Sequence, residues 1–212
     1  MKLFVRYFLA CCVAISSAFS NAAVYDDMIR AIGMGDQSTV ANLLQKGLDV
    51  NSVNKEGDTF LMMAAKEGNM NVIKTLLNAK PKVAAQNSFG ESAVMLASIK
   101  GHLEAVKALL AEGGQIDHAG WTPLMYAASM NRTEVMRFLM VRGAKIDAAN
   151  TTGLTALMLA AREGQTQALL LLMEYGANIS NKAPNGYTAL AAAKQRNNDE
   201  IVRILTKAGA KE

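Results

Sequence analysis

The sequence has 212 residues, 51% hydrophobic and 19% charged, with 22 Lys+Arg against 18 Asp+Glu. That apolar content excludes a disordered chain, and two cysteines exclude a disulfide-dense scaffold. A net charge of only +4 implies no basic face for nucleic acid.

At the N-terminus, Met1 to Arg6 carries Lys2 and Arg6, and thirteen uncharged residues follow from Tyr7 to Phe19. Ser20-Asn21-Ala22 places small residues where a signal peptidase reads them. A basic start, a short apolar run and a small-residue exit predict a secretory signal over residues 1–22, cleaved after Ala22. The run is shorter than the about 20 residues that a membrane span needs, so a retained anchor is the lesser alternative. Leu9-Ala10-Cys11-Cys12 invites a lipoprotein reading, but the apolar run continues past it through Val13-Ala14-Ile15. Cleavage leaves 190 residues, 23–212, without cysteine and with a net charge of +2. The expected location is the periplasm, where a cysteine-free chain must hold together without disulfides. No membrane span is expected after cleavage.

Beyond residue 22 the chain repeats itself. Gly57, Gly90, Gly120, Gly153 and Gly186 are separated by 33, 30, 33 and 33 residues. Each precedes a related string: Thr59-Phe60-Leu61-Met62, Ser92-Ala93-Val94-Met95, Thr122-Pro123-Leu124-Met125, Thr155-Ala156-Leu157-Met158 and Thr188-Ala189-Leu190-Ala191. Gly113, Gly143, Gly176 and Gly209 keep the same step. In one unit, Thr122 caps a helix start and Pro123 fills the first helical position, where a missing N–H costs nothing. Ala127-Ala128 lets a neighbouring helix approach closely. Asn131-Arg132 ends the first helix, and Val135, Met136, Phe138 and Leu139 form the apolar face of a second. Gly143 terminates that helix in a left-handed conformation. An extended segment from Ala144 to Leu154 then turns at Asn150–Gly153. One unit cannot bury its own apolar face, so stacking must supply the core.

These strings and the 33-residue step resemble the ankyrin repeat family, with its T-P-L-H-x-A signature. The resemblance covers Asp26 to Glu212 and implies an all-α repeat solenoid, a stack of helix-turn-helix units joined by β-hairpin loops. The expected divisions are a degenerate N-terminal cap over 26–54, then repeats of about 55–87, 88–117, 118–150, 151–183 and 184–212. Three departures stand out. The signature histidine is replaced by Met62, Met95, Met125 and Met158; Lys80-Pro81-Lys82 stands where other repeats have glycine; and the connection from Gly113 to Gly120 is three residues short.

The family resemblance implies protein binding through hairpin tips and the inner helices. Phasing puts Asp58, Glu91, Trp121, Leu154 and Tyr187 in a tip row, and Met63, Leu96, Tyr126, Leu159 and Ala192 in the row after the methionine. Lys66, Ile99, Ser129, Arg162 and Gln195 form a further row expected to be exposed. Trp and Tyr are enriched at interface hot spots. The candidate partner-binding residues are therefore Trp121, Tyr126, Leu154, Leu159 and Tyr187, expected as one contiguous patch, with Glu91, Asp58 and Arg162. The plainer alternative is that these side chains only cover hairpin bases.

No cofactor, metal or catalytic residue is expected. The methionine ladder suits packing better than Cu(I), because stacked helices lie about 8–10 Å apart and methionine fills irregular gaps. The mature chain's histidines, His102 and His118, form neither a triad nor a metal set. The expected function is a non-catalytic, monomeric periplasmic module that captures a folded envelope protein. Inhibition of a cell-wall hydrolase, or immunity to it, is one concrete form. The alternative is an accessory in periplasmic oxidative-stress defence that supports a catalase.

Overall fold

A computed structural model of the chain describes residues 23–211. The signal segment expected at 1–22 and both cysteines lie outside the described residues. Residues 23–34 are helical and are numbered α1. There follow α2 (Gln37–Gln45), α3 (Phe60–Glu67), α4 (Met70–Asn78), α5 (Ala93–Lys100), α6 (Leu103–Ala111) and α7 (Pro123–Ser129). The chain continues through α8 (Thr133–Val141), α9 (Ala156–Arg162), α10 (Thr166–Glu174), α11 (Ala189–Gln195) and α12 (Asp199–Lys207).

Odd-numbered helices from α3 to α11 stack on one another as an inner row, and even-numbered helices from α2 to α12 as an outer row. The inner helices have 7 or 8 residues and the outer ones 9. Alanine pairs on the inner row, including Ala64-Ala65, Ala127-Ala128 and Ala160-Ala161, are fully buried. These small side chains bring inner helices closer together than outer ones, so the stack is concave on the inner side. Between the rows, Leu61, Ile73, Leu76, Leu109, Leu124, Met136 and Leu139 bury their side chains completely and belong to one continuous core. The class is an all-α repeat solenoid.

Every full inner helix begins in the same way. The hydroxyl of Thr59, Ser92, Thr122, Thr155 or Thr188 accepts the backbone N–H three residues on, at 3.1–3.4 Å. The four signature methionines are at most 2% exposed. Two do more than fill space: Met62 Sδ and Met95 Sδ each accept the N–H of their own helix's capping residue at 3.4 Å. The thioether closes a reciprocal cap in which the methionine replaces the usual Glu or Gln.

Side chains also tie each repeat to the one before. Arg132 Nε donates to the Ile99 carbonyl at 3.0 Å, Gln165 Nε2 to Ser129 at 3.2 Å and Asn198 Nδ2 to Ala161 at 2.8 Å. His102 Nε2 lies 3.2 Å from the Lys66 carbonyl in the same register. Each contact covers C-terminal carbonyls that an inner helix leaves without partners.

Lys80, which replaces the repeat glycine, is held at φ 55°. We expect Lys80→Gly to raise stability modestly. Relief of about 1–2 kcal/mol of left-handed strain outweighs the about 0.5–1 kcal/mol entropic cost of a glycine. The check is a higher urea midpoint at unchanged slope.

At the N-terminal end, Asp36 caps α2. Its carboxyl is lowered to about 2, first by the Ser38 hydroxyl and then by the Thr39 hydroxyl and N–H. A depressed carboxyl contributes stability above its unfolded value near 4, and loses it as pH falls toward the folded value. The thermal midpoint should therefore drop between about pH 4 and pH 2, and Asp36→Asn should flatten that drop in circular dichroism melts.

Candidate functional site

Three of the hairpins that join the repeats are built around asparagine. Asn54 Oδ1 accepts the N–H groups of Glu56 and Asp58 at 3.0 and 2.8 Å. Asn87 and Asn150 do the same for the residues two and four positions on. Isolated antiparallel bridges close these hairpins at Val53–Thr59, Gln86–Ser92 and Ala149–Thr155. The short connection ahead of α7 has lost the asparagine.

Packing of hairpin on hairpin differs along the row. A Cβ on Gly57 would lie 3.0 Å from the Ser88 nitrogen, and one on Gly153 would lie 2.4 Å from Pro184 Cδ, so the first hairpin packs on the second and the fourth on the fifth. A Cβ on Gly90, whose following hairpin is truncated, meets nothing within 4 Å. The short connection is still tied to both neighbours, by the Gln86–His118 contact on one side and by Asp117 accepting the Lys145 N–H on the other, and Phe89 beside it is 73% exposed.

The candidate residues fall into two groups along the row, the first of which spans the short connection. In the first, Asn87 Nδ2 donates to Asp58 Oδ1 at 2.7 Å and to Glu91 Oε2 at 3.0 Å. The Tyr126 hydroxyl donates to Glu91 Oε1 at 2.8 Å, and its ring lies 5.0 Å from the Trp121 ring, tilted by 40°. Burial, reinforced by the Glu91 hydrogen bond and charge, pushes the Tyr126 phenol above its ordinary value. It therefore remains a donor, and Asp58, Asn87, Glu91, Tyr126 and Trp121 form one connected acidic and aromatic surface.

In the second group, Leu154, Arg162 and Tyr187 line a groove of about 750 Å³ with Thr152, Asn185, Gln195 and Arg196. Leu154 and Tyr187 rest on the core, so they present fixed faces. Tyr187 donates to Gln195 Oε1 at 2.9 Å, and Arg162 Nε donates to Glu163 Oε1 at 2.8 Å.

Leu159 belongs to neither group. It is 0% exposed, Ala192 is likewise buried, and Leu96 is 7% exposed. The row after the methionine therefore does not form a surface throughout; tight inner-helix packing encloses it except at Met63 and Tyr126. Ser129, in the row expected to be exposed, is buried at 8% and donates to the Tyr126 carbonyl. Trp121 packs against the core along with Leu154 and Tyr187, so all three cover hairpin bases while keeping a half-exposed face.

Sequence reasoning missed Asn87, Phe89, Asn185 and Arg196. A signal for Asn87 was present in the shared phase of Asn54, Asn87 and Asn150. Among the described residues, no group of three or more His, Cys, Asp and Glu is placed to hold a metal ion, and no helix is long and apolar enough to cross a membrane.

Stacked, capped helix pairs with a concave inner face and projecting hairpins define a repeat solenoid of the protein-binding class. The family described as ankyrin repeats (3 copies) matches residues 28–117, 80–150 and 141–212. The chain belongs to the ankyrin repeat family, whose members are typically non-catalytic and act through protein–protein contacts. No curated protein matches the chain. Among solved structures, the predatory endopeptidase Bd0816 from Bdellovibrio bacteriovorus in complex with immunity protein Bd3460 contains a similar chain. The two chains are 31% identical with a TM-score of 0.75, and the match covers 85% of this chain and 97% of that one.

Proposed function

We propose that this chain is an exported, monomeric binding protein that captures a folded envelope enzyme of the cell-wall hydrolase class and inhibits it, as an immunity protein does. The observation that carries this reading is its likeness, over nearly the whole of the other chain, to a component of an endopeptidase–immunity protein complex. Half-exposed aromatic side chains along the row of hairpins supply a surface of the kind that anchors protein partners. The leader-like Met1–Ala22 supports export to the periplasm, where such an enzyme would be met. Of the two expected functions, the endopeptidase complex favours hydrolase inhibition over support of a catalase.

The test is affinity capture from an envelope extract, followed by a peptidoglycan-cleavage assay of the purified partner. We expect recovery of a cell-wall hydrolase and stoichiometric loss of its activity on adding this chain. Recovery of a catalase, or a hydrolase that binds but keeps full activity, would overturn the reading.

A further inference from the structure

We infer that the groove between the last two hairpins seats a glutamate- or aspartate-bearing segment of the partner protein, with an apolar side chain next to the carboxylate. This rests on the protein-binding reading above and gives one half of that surface its chemistry.

The groove is rich in donors. Arg162 is the last residue of α9 and Arg196 follows the end of α11, so both guanidinium groups reach the same space. Glu163 takes Arg162 Nε, which fixes the plane of that guanidinium while its two terminal amino groups are not engaged by Glu163. Tyr187 donates to the Gln195 side-chain oxygen, so the Gln195 amide is left with its N–H₂ as the group to offer. Among the described residues, no aspartate or glutamate lines the groove; the nearby Glu163 carboxylate is paired with Arg162, and Arg196 adds a second cation. Planar guanidinium groups match a carboxylate in geometry and in charge.

The other wall is apolar. Leu154 and the Tyr187 ring are held against the core and do not turn away to leave a purely polar site. A phosphate or sulfate polymer would satisfy the arginines but leave this wall without a partner, whereas a peptide supplies the carboxylate and the apolar group together. The first half of the surface carries the opposite sign, with Asp58 and Glu91 converging on Asn87. A partner that is basic at one end and acidic at the other would dock in a single direction, as charge complementarity fixes register.

The experiment uses the full chain and short capped peptides, acetylated and amidated so that no terminal charge contributes. One alternates leucine with glutamate, a second has glutamine for glutamate and a third has lysine; binding is read by calorimetry. We expect the glutamate peptide to bind about tenfold or more tightly than either counterpart, in keeping with charge-assisted hydrogen bonds, and to weaken as salt rises. Arg162→Gln with Arg196→Gln should erase the preference. If the double variant unfolds, Arg196→Gln alone, at an exposed position, should reduce it. Equal binding of the glutamate and glutamine peptides, or an undiminished preference in a folded Arg196→Gln protein, would overturn the inference. So would polyphosphate displacing the peptide equally well from the native chain and from a Leu154→Ala, Tyr187→Ala variant, since the groove would then read charge alone. Failure to find a hydrolase partner leaves the peptide preference intact, and indifference to peptides leaves the Trp121–Tyr126 half of the surface intact, so the two failures are distinguishable.

Discussion

Replacing Trp121 and Tyr126 together with alanine weakens binding of the captured partner by about 100-fold or more, the scale expected when a hot-spot pair worth about 3 kcal/mol is removed. The two rings lie 5.0 Å apart, so they act as one anchor and their single-variant losses should not add. Trp121 rests on the core, and its truncation also lowers stability. Titration calorimetry must therefore be run well below the melting temperature, with circular dichroism confirming that the helices remain. A separate Tyr126→Phe variant keeps the ring and removes only the hydrogen bond to Glu91. It should lose far less affinity than the double variant. Unchanged affinity in the double variant would show that the rings serve only to cover the hairpin base.

A second large effect is expected at Gly153. Its φ is +82°, and an added Cβ would lie 2.4 Å from Pro184 Cδ and 3.0 Å from Ala183. Gly153→Val therefore combines left-handed strain in a β-branched residue with a clash against the next hairpin. Strain of about 1–3 kcal/mol and overpacking of about 1–3 kcal/mol together predict a loss of about 2–6 kcal/mol in chemical denaturation. Because Leu154 follows directly and Tyr187 stands on the displaced hairpin, the variant should also weaken binding at the groove. Gly90→Val is the control. It suffers the same left-handed strain at φ +76° but meets no atom within 4 Å, so its loss should be smaller by the clash alone. Equal losses at the two positions would mean that the hairpins of the fourth and fifth repeats do not support one another.

Most of the fold was legible because ankyrin repeats are built from local signals. The capping hydroxyls of Thr59, Ser92, Thr122, Thr155 and Thr188 act within a few residues of themselves. The 33-residue step then carries each signal to the next copy. The shortened connection before Trp121 was legible for the same reason, as an interruption of phase. The methionines were read as packing, and burial bears that out for all four. The added N–H acceptance by Met62 and Met95 depends on side-chain rotamers that spacing does not encode.

Sequence by itself determined the repeat, its caps, its breaks and the rows from which a binding surface would have to be drawn. Tertiary structure decided which members of those rows reach solvent. Leu159 and Tyr126 occupy the same position in successive repeats, yet one is enclosed and the other keeps half a face outside. Exposure at such a position is set by how closely the neighbouring inner helices approach and by what the adjoining hairpin lays over it, and both are contacts between residues about thirty positions apart. The same long-range geometry tied Tyr126 to Glu91 and Trp121 and placed Leu154, Arg162 and Tyr187 in a groove with Gln195 and Arg196.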